Sequence, residues 1–194
     1  MRLIDINAGA APPDPIGPLV TVEEFVNHAR INGITVQAQP ELLSQDLRAA
    51  VNRCQQFLRR SLLTQTLVGI FVPDGSSCSC GGALLLPRGK VQAVNKVTTP
   101  AGVLDSSGFT WNGYNLVTLS APANGTTAVE FDSGYGDDDA LIEDLIIEGI
   151  YRYATTLYEN RTGEGDARYQ AEAGRTLPSG VIDCWRPYQI EVSG

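Results

Sequence analysis

Residues 137–161 read DDDALIEDLIIEGIYRYATTLYENR, the longest helical pattern in this chain. Acidic residues occupy its start, where they complement the positive end of a helix dipole. Apolar residues then recur every three or four positions, as on one face of an amphipathic helix. The pattern predicts a long helix from about Asp137 to Arg161. The side chains predicted to face its core are Leu141, Ile142, Leu145, Ile146, Ile150, Tyr153, Ala154 and Leu157.

The stretch before this helix has a different period. Short runs rich in Val, Leu, Thr and aromatic residues alternate with clusters of Gly, Pro, Asn and Ser, which is typical of antiparallel strands joined by turns. Val91, Val94 and Val97 lie three residues apart rather than two, so we expect a bulge or bend near Ala93. The spacing predicts strands near residues 67–72, 83–86, 90–97, 109–111, 114–119 and 126–131.

Two further helical patterns come earlier in the chain. Thr21 and Glu24 form the pattern of a capping box, which opens a short helix through about Arg30. Pro40 stands at a first-turn position of a second helix, which is predicted to run to about Leu63. The residues predicted to be inward are Val22, Phe25, Val26 and Ala29 in the first helix, and Leu43, Leu47, Ala50, Val51, Cys54, Phe57 and Leu58 in the second.

Together these patterns predict an α+β protein. A small bundle of two N-terminal helices and one long C-terminal helix carries an inserted antiparallel β subdomain, with extended arms at both ends. Residues 8–18 contain four prolines, which remove backbone donors and disfavour helix and sheet. The expected segments are an N-terminal arm (1–20), helices (21–63), a β insertion (64–134), the long helix (135–162) and a C-terminal docking arm (163–194).

Composition narrows the possible functions. A formal net charge of −8 argues against wrapping nucleic acid, which requires an excess of Lys and Arg. The longest apolar runs, 83–86 and 145–147, are far shorter than the roughly 18 residues of a membrane helix. Residues 1–10 lack the pattern of a secretory signal, so the chain is predicted to be cytosolic. Its four cysteines, Cys54, Cys78, Cys80 and Cys184, are then expected to be free thiols.

No motif points to catalysis, a cofactor or a metal. His28 is the single histidine, which excludes a His-dependent triad within one chain. Cys78 and Cys80 are one residue apart in a Gly/Ser loop and supply only two of the four ligands that zinc prefers. The acidic run 132–139 does not match a calcium loop and is better explained by the start of a helix. A small hydrolase using carboxylates stays open as an alternative, and it would need acids that converge in a pocket.

The C-terminal residues 177–190 read LPSGVIDCWRPYQI, and they place large apolar side chains beyond the last long helix. Such a segment needs a surface to lie on, because burying each large side chain is worth roughly 1.5 to 3 kcal/mol. Trp, Tyr and Arg dominate binding energies at interfaces, which favours docking on a neighbour, with packing on its own helices as the alternative. The predicted partner-binding residues are Leu177, Pro178, Val181, Ile182, Trp185, Arg186, Pro187, Tyr188 and Ile190.

The combination of several stretches resembles the head-tail connector (adaptor) family of tailed bacteriophages. The resemblance covers about residues 20–190 and rests on the order and spacing of its pieces. These are TVEEFVNHAR (21–30), FLRRSLLTQT (57–66), LLPRGKVQAVNKV (85–97), VEFDSGYG (129–136), YENR (158–161) and LPSGVIDCWRPY (177–188). The loop around Cys78 and the proline-rich N-terminal arm depart from the family pattern.

The resemblance implies a structural protein of the virion neck that is assembled in the host cytoplasm. Its partners would be the portal, a further neck or tail protein, and neighbouring copies in a closed ring of about twelve. DNA would pass through without specific binding. From the acidic net charge we expect carboxylates, among them those of residues 137–148, to line or flank the channel. The isolated subunit is expected to be monomeric until a portal template arrives. The alternative is a tail-completion or neck module that contacts the tail tube instead of the portal.

Overall fold

The computed structural model describes residues 2–8, 14–32, 39–73, 82–121, 125–160 and 177–190. The chain divides into two compact units. The β unit comprises the described residues within 1–13 and 59–136, and the helical unit those within 14–58 and 137–194. The β unit is therefore inserted between two helical segments, which confirms the predicted α+β class.

The β unit contains a five-stranded and a three-stranded antiparallel sheet. Their orders are β1-β2-β8-β4-β5 and β3-β7-β6. Buried side chains from both sheets form one hydrophobic cluster, among them Phe71 and Phe131 of the five-stranded sheet and Val117 of the three-stranded sheet. The strands are β1 (Arg2–Ala8), β2 (Gln65–Val72), β3 (Ala83–Leu85), β4 (Val91–Thr99), β5 (Gly102–Leu104), β6 (Phe109–Trp111), β7 (Leu116–Leu119) and β8 (Thr127–Ser133).

Two strands differ from the sequence prediction. Strand β1 lies where an extended arm was expected, and it pairs with β2. Its register shifts between Leu3 and Asp5, so that Leu3 and Ile6 both pack on the hydrophobic cluster. That irregular spacing hid the alternation typical of a strand. Strand β5 was not predicted, and it forms a hairpin with β4. The irregularity expected near Ala93 is confirmed, because β4 changes register between Val91 and Ala93.

The described residues of the helical unit form four helices. Helix α1 spans Val22–Ala29, α2 Pro40–Leu58, α3 Asp144–Glu159 and α4 Ser179–Trp185. Thr21 caps α1 by accepting the Glu24 N–H at 3.1 Å and donating to the Glu24 carboxylate at 2.7 Å, as the capping box predicted. Helices α1, α2 and α4 all contact α3.

The predicted helix ends need correction. Helix α2 ends at Leu58 rather than about residue 63, because Arg59 adopts a left-handed backbone with φ 56°. Helix α2, with 19 residues, is therefore longer than α3, with 16.

Helix α3 begins seven residues later than predicted. Asp138 caps a short 3-10 turn over Asp139–Leu141, and the backbone is then extended at Ile142. The expected inward positions Ile142, Ile146, Ile150 and Ala154 are buried. Leu141 and Leu145, however, are 62% and 48% exposed, contrary to the prediction. Leu141 lies in the 3-10 turn before α3 and therefore leaves the helical stripe. Leu145 is the second residue of α3 and lies about 100° around the helix from Ile146, at the edge of the buried face.

Candidate functional site

The C-terminal segment, the candidate docking region, is a helix followed by a turn rather than an extended arm. Helix α4 ends at Trp185 and continues into a 3-10 turn over Arg186–Tyr188. Its N–H groups at Val181 and Ile182 both donate to the carbonyl of Pro178. The inner side of this segment packs within the helical unit, where Leu177, Val181, Cys184 and Trp185 are buried.

Trp185 is the centre of this packing and is completely buried. Its indole N–H donates to the carbonyl of Ile146 in α3 at 3.1 Å, so the polar atom of the ring is satisfied. The rings of Phe57 and Tyr153 lie with centroids 5.9 and 6.1 Å from the Trp185 ring. This arrangement joins α4 to both α2 and α3 through one side chain.

Gly149 makes the approach of α4 to α3 possible. A Cβ built on this residue would lie 2.7 Å from Cδ1 of Trp185 and 3.0 Å from Cβ of Cys184, closer than such atoms normally come. Sequence reasoning missed this position. The sequence did contain an indication, namely a glycine inside a helical pattern. Glycine there costs about 1 kcal/mol relative to alanine, so its presence usually has a packing reason.

The burial of Val181 and Trp185 corrects part of the predicted partner-binding set. In a single chain these two residues, with Leu177, stabilise their own helical unit and are not presented to a neighbour. The alternative of self-packing therefore applies to the inner face of α4. On that face the Trp185 indole has a hydrogen-bond acceptor and two aromatic neighbours within its own chain. The order of residue types in the sequence does not reveal these partners.

The outer side of the same segment remains accessible. Arg186 and Pro187 are exposed, and Tyr188 is partly exposed. Pro178, Ile182 and Ile190 are also partly exposed, and the Ile190 N–H donates to the carbonyl of Leu58 at 3.2 Å, which holds the end of the segment on α2. We define the docking face as Ile182, Arg186, Pro187 and Tyr188.

A polar network joins α1 to α3 on another side of the helical unit. The Tyr151 hydroxyl donates to the Glu24 carboxylate at 2.8 Å. Hydrogen bonds from Thr21 and then from Tyr151 lower the pKa of Glu24 below its usual value. Burial, followed by the hydrogen bond to Glu24, raises the pKa of Tyr151. These hydrogen bonds hold α1 against α3. The two pKa shifts are therefore explained by helix packing.

The positions considered for metal or thiol chemistry give no site within the described residues. No group of three or more His, Cys, Asp or Glu side chains there is arranged to hold a metal ion. Cys54 and Cys184 are free and buried, and burial raises the pKa of the Cys54 thiol. Cys78 and Cys80 lie outside the described residues. In the described part of the chain, we find no helix with the length and apolar character needed to cross a membrane.

Comparison with known proteins gives structural matches only. No protein-family model matches the sequence, and no curated protein matches it significantly. Among solved structures, a chain from the neck of an empty GTA particle, computed with C6 symmetry, has a TM-score of 0.72 at 19% identity, covering 98% of both chains. A chain from the virion of a native gene transfer agent (GTA) particle gives the same values. A chain from the neck of a native GTA particle, computed with C12 symmetry, has a TM-score of 0.66 at 19% identity, again over 98% of both chains. At this identity the likeness establishes a shared fold.

Proposed function

We propose that this chain is a structural subunit of the neck of a tailed phage or phage-like particle. In this role it forms a ring beneath the portal, conducts DNA and provides a platform for further neck or tail proteins. The observation that carries the proposal is the full-length likeness in fold to chains of particle necks. The role is non-enzymatic, and the protein is assembled in the host cytoplasm and resides in the virion.

Ring formation agrees with the symmetries of those necks, one computed as C6 and another as C12. A cyclic ring of identical subunits is held by a head-to-tail interface, in which two different faces of the chain meet. We therefore expect this chain to carry two complementary faces for neighbouring copies, in addition to a face for the portal.

The charge of the chain suits passage of DNA without binding. With a formal net charge of −8, a ring of such subunits repels phosphates more than it attracts them. The assembled ring should have little affinity for duplex DNA even at low salt, where electrostatic attraction is strongest.

The docking face of the C-terminal segment is the proposed contact with the portal. Arg186 and Tyr188 are residue types that often cost about 2 kcal/mol or more when truncated at an interface. They lie on a short helical element that Trp185 anchors from beneath. Such anchoring reduces the conformational entropy lost on binding.

Electron microscopy of the full-length protein mixed with the portal of the same particle tests this proposal. We expect a ring on the portal for the wild-type protein and its loss for Arg186→Ala combined with Tyr188→Ala. Asp183→Ala, a change at an exposed position of the adjoining helix α4, is the matched control and should bind as wild type.

The outcomes separate the possibilities. A ring that forms with the double variant would reject the docking face but keep the neck role. A ring found only on the tail tube would support the alternative function of a tail-completion module. Particles whose necks contain no copy of this chain would refute the proposal altogether.

A further inference from the structure

We propose that neighbouring copies in the ring join through a cation cluster on the β unit and a groove on the helical unit that is lined by apolar and acidic side chains. This inference rests on the proposed ring. The cation cluster is Arg60 and Lys90 beside Tyr135, together with Arg88 in the turn that precedes Lys90, and the groove lies where α3 begins. The occupant of the groove is the cation cluster of a second copy of this chain.

Two members of the cation cluster, Arg60 and Lys90, contact Tyr135. Arg60 Nη1 donates to the Tyr135 hydroxyl at 2.7 Å, and Lys90 Nζ lies 4.1 Å from the centre of the same ring. The Ser133 hydroxyl donates to two backbone carbonyls, that of Arg88 at 3.2 Å and that of Gly89 at 2.7 Å. These hydrogen bonds hold in place the turn that carries Arg88 and Lys90.

None of the three cations has a carboxylate partner among the described residues, where the ion pairs are His28–Glu148, Arg48–Asp14 and Arg152–Glu148. Like charges held close together repel one another, so an anionic partner stabilises the arrangement. The cluster therefore favours docking against a surface that carries carboxylates.

The groove has matching chemistry. Its volume is about 410 Å³, and its apolar lining includes Ile142, Leu145 and Ile147. Three carboxylates also line the groove. Glu148 pairs with His28 and Arg152, whereas neither Asp139 nor Asp144 makes an ion pair within the part of the chain that the structure describes. Leu145 is 48% exposed, and it is one of the two residues that the sequence pattern wrongly placed inside.

Arginine and lysine suit a groove of this kind. Their aliphatic stems cover apolar surface while their charged groups reach carboxylates at the edge. A purely acidic surface would attract many cations, whereas a groove lined by both apolar and acidic side chains favours long basic side chains on a fixed scaffold.

The distribution of charge along the chain points to a second copy as the source of those side chains. The residues of the helical unit include 17 acidic and eight basic ones, a formal charge of −9. Those of the β unit include five acidic and six basic ones, a formal charge of +1. Each copy thus carries both halves of a head-to-tail contact, as ring closure requires.

Duplex DNA is the less favoured partner of the cation cluster. Binding by phosphate neutralisation needs a clear excess of cations, and the β unit as a whole has a charge of only +1. The proposal also gives Asp139 and Asp144 a role other than lining the DNA channel, because the same carboxylates cannot face both a neighbour and the lumen.

Zero-length coupling of amines to carboxylates tests the contact. The chain has only two lysines, Lys90 and Lys96, so few products are possible. Particles carrying a mixture of ¹⁴N- and ¹⁵N-labelled copies are treated with a carbodiimide, and peptides are identified by mass spectrometry. We expect mixed-isotope products that join Lys90 to the peptide containing Asp139 or Asp144, and none for Lys96, the exposed control on the same strand region.

Charge reversal provides a second test with the full-length protein. The first variant is Arg88→Glu with Lys90→Glu, and the second is Asp139→Lys with Asp144→Lys. Each alone should reduce ring formation at least about tenfold, because like charges then meet at every contact. Mixing the two variants should restore rings, since every contact between unlike copies is again complementary.

The result that overturns the inference is clear. One such result is a ring in the necks that yields no mixed-isotope product of Lys90. Another is a mixture of the two variants that fails to restore rings although each variant is folded by circular dichroism. In either case the contact lies elsewhere, and the proposed function still stands. If Lys90 is instead protected by added duplex DNA and joined to no neighbour, the cluster is a DNA contact. Absence of the chain from necks would refute the proposed function itself.

Discussion

The contact between Gly149 and Trp185 leads to a sharp prediction about what holds the C-terminal segment in place. In Gly149→Ala, the new methyl group would lie 2.7 Å from Cδ1 of Trp185. Ordinary van der Waals contacts begin at 3.4 Å, and Nε1 of the same ring would be closer to the new methyl group than Cδ1 is, so α3 and α4 must separate or the indole must tilt. Either movement strains the hydrogen bond from Trp185 to Ile146.

The magnitude follows from two opposing effects. Overpacking in a well-packed core costs typically 1–3 kcal/mol. Replacing glycine by alanine inside a helix recovers about 1 kcal/mol of helix propensity. Because the clash involves a ring wedged between two other aromatic rings, we expect overpacking to dominate. The free energy of unfolding should fall by about 1–2 kcal/mol.

The assay is urea unfolding followed by far-UV circular dichroism, with tryptophan emission recorded in parallel. Gly180→Ala is the matched control, since its Cβ would lie 3.4 Å from the far end of the Arg152 side chain, which can move away. We expect the control to be neutral or slightly stabilising, by at most about 1 kcal/mol. A Gly149→Ala protein as stable as Gly180→Ala would refute the packing argument.

Three further changes test other parts of the fold. Trp185→Ala removes a fully buried ring and should lower the free energy of unfolding in urea by about 3–5 kcal/mol, whereas a loss below about 1 kcal/mol would mean that the indole is not part of the core. Gly134→Ala places a Cβ 2.6 Å from a backbone carbonyl oxygen at φ +153°, so the β unit should lose about 3 kcal/mol in thermal or urea unfolding, and wild-type stability would count against this geometry. Hydrogen bonds from Thr21 and Tyr151 lower the pKa of Glu24, so its carboxylate stabilises the fold above the unfolded pKa of about 4.3, and this contribution is lost as pH falls through the lower folded pKa. Glu24→Gln should therefore make the free energy of unfolding fall less steeply on acidification below about pH 5, and an unchanged pH dependence of urea unfolding would contradict the assignment.

Local patterns in the sequence were sufficient for most of the fold. The capping box at Thr21, the apolar stripe of α2 and the β-rich stretch before α3 each depend on neighbours a few residues away, and each is observed. The bulge near Ala93 could also be predicted, because a spacing of three between valines cannot fit a regular strand.

The candidate site was predicted less well, and the reason is physical. Composition indicates that LPSGVIDCWRPYQI must bury apolar area, but it does not say against what. Trp185 is enclosed because Gly149 leaves room on α3 and the carbonyl of Ile146 can accept its N–H. The docking role thus remains a prediction for the members of the predicted set that are not buried, Pro178, Ile182, Arg186, Pro187, Tyr188 and Ile190.

Periodicity and capping depend on contacts within one or two helical turns, so the order and type of most elements could be derived from neighbouring residues. Strand β1 and the enclosure of Trp185 depend on partners far away in the chain. Many other apolar surfaces of the chain could serve as such partners. The exposure of Leu141 has the same origin, since it lies in the short turn where the extended residue Ile142 breaks a stripe that appears continuous in the sequence. Long-range packing selects among these surfaces by shape and hydrogen bonding, and neither is encoded in local spacing.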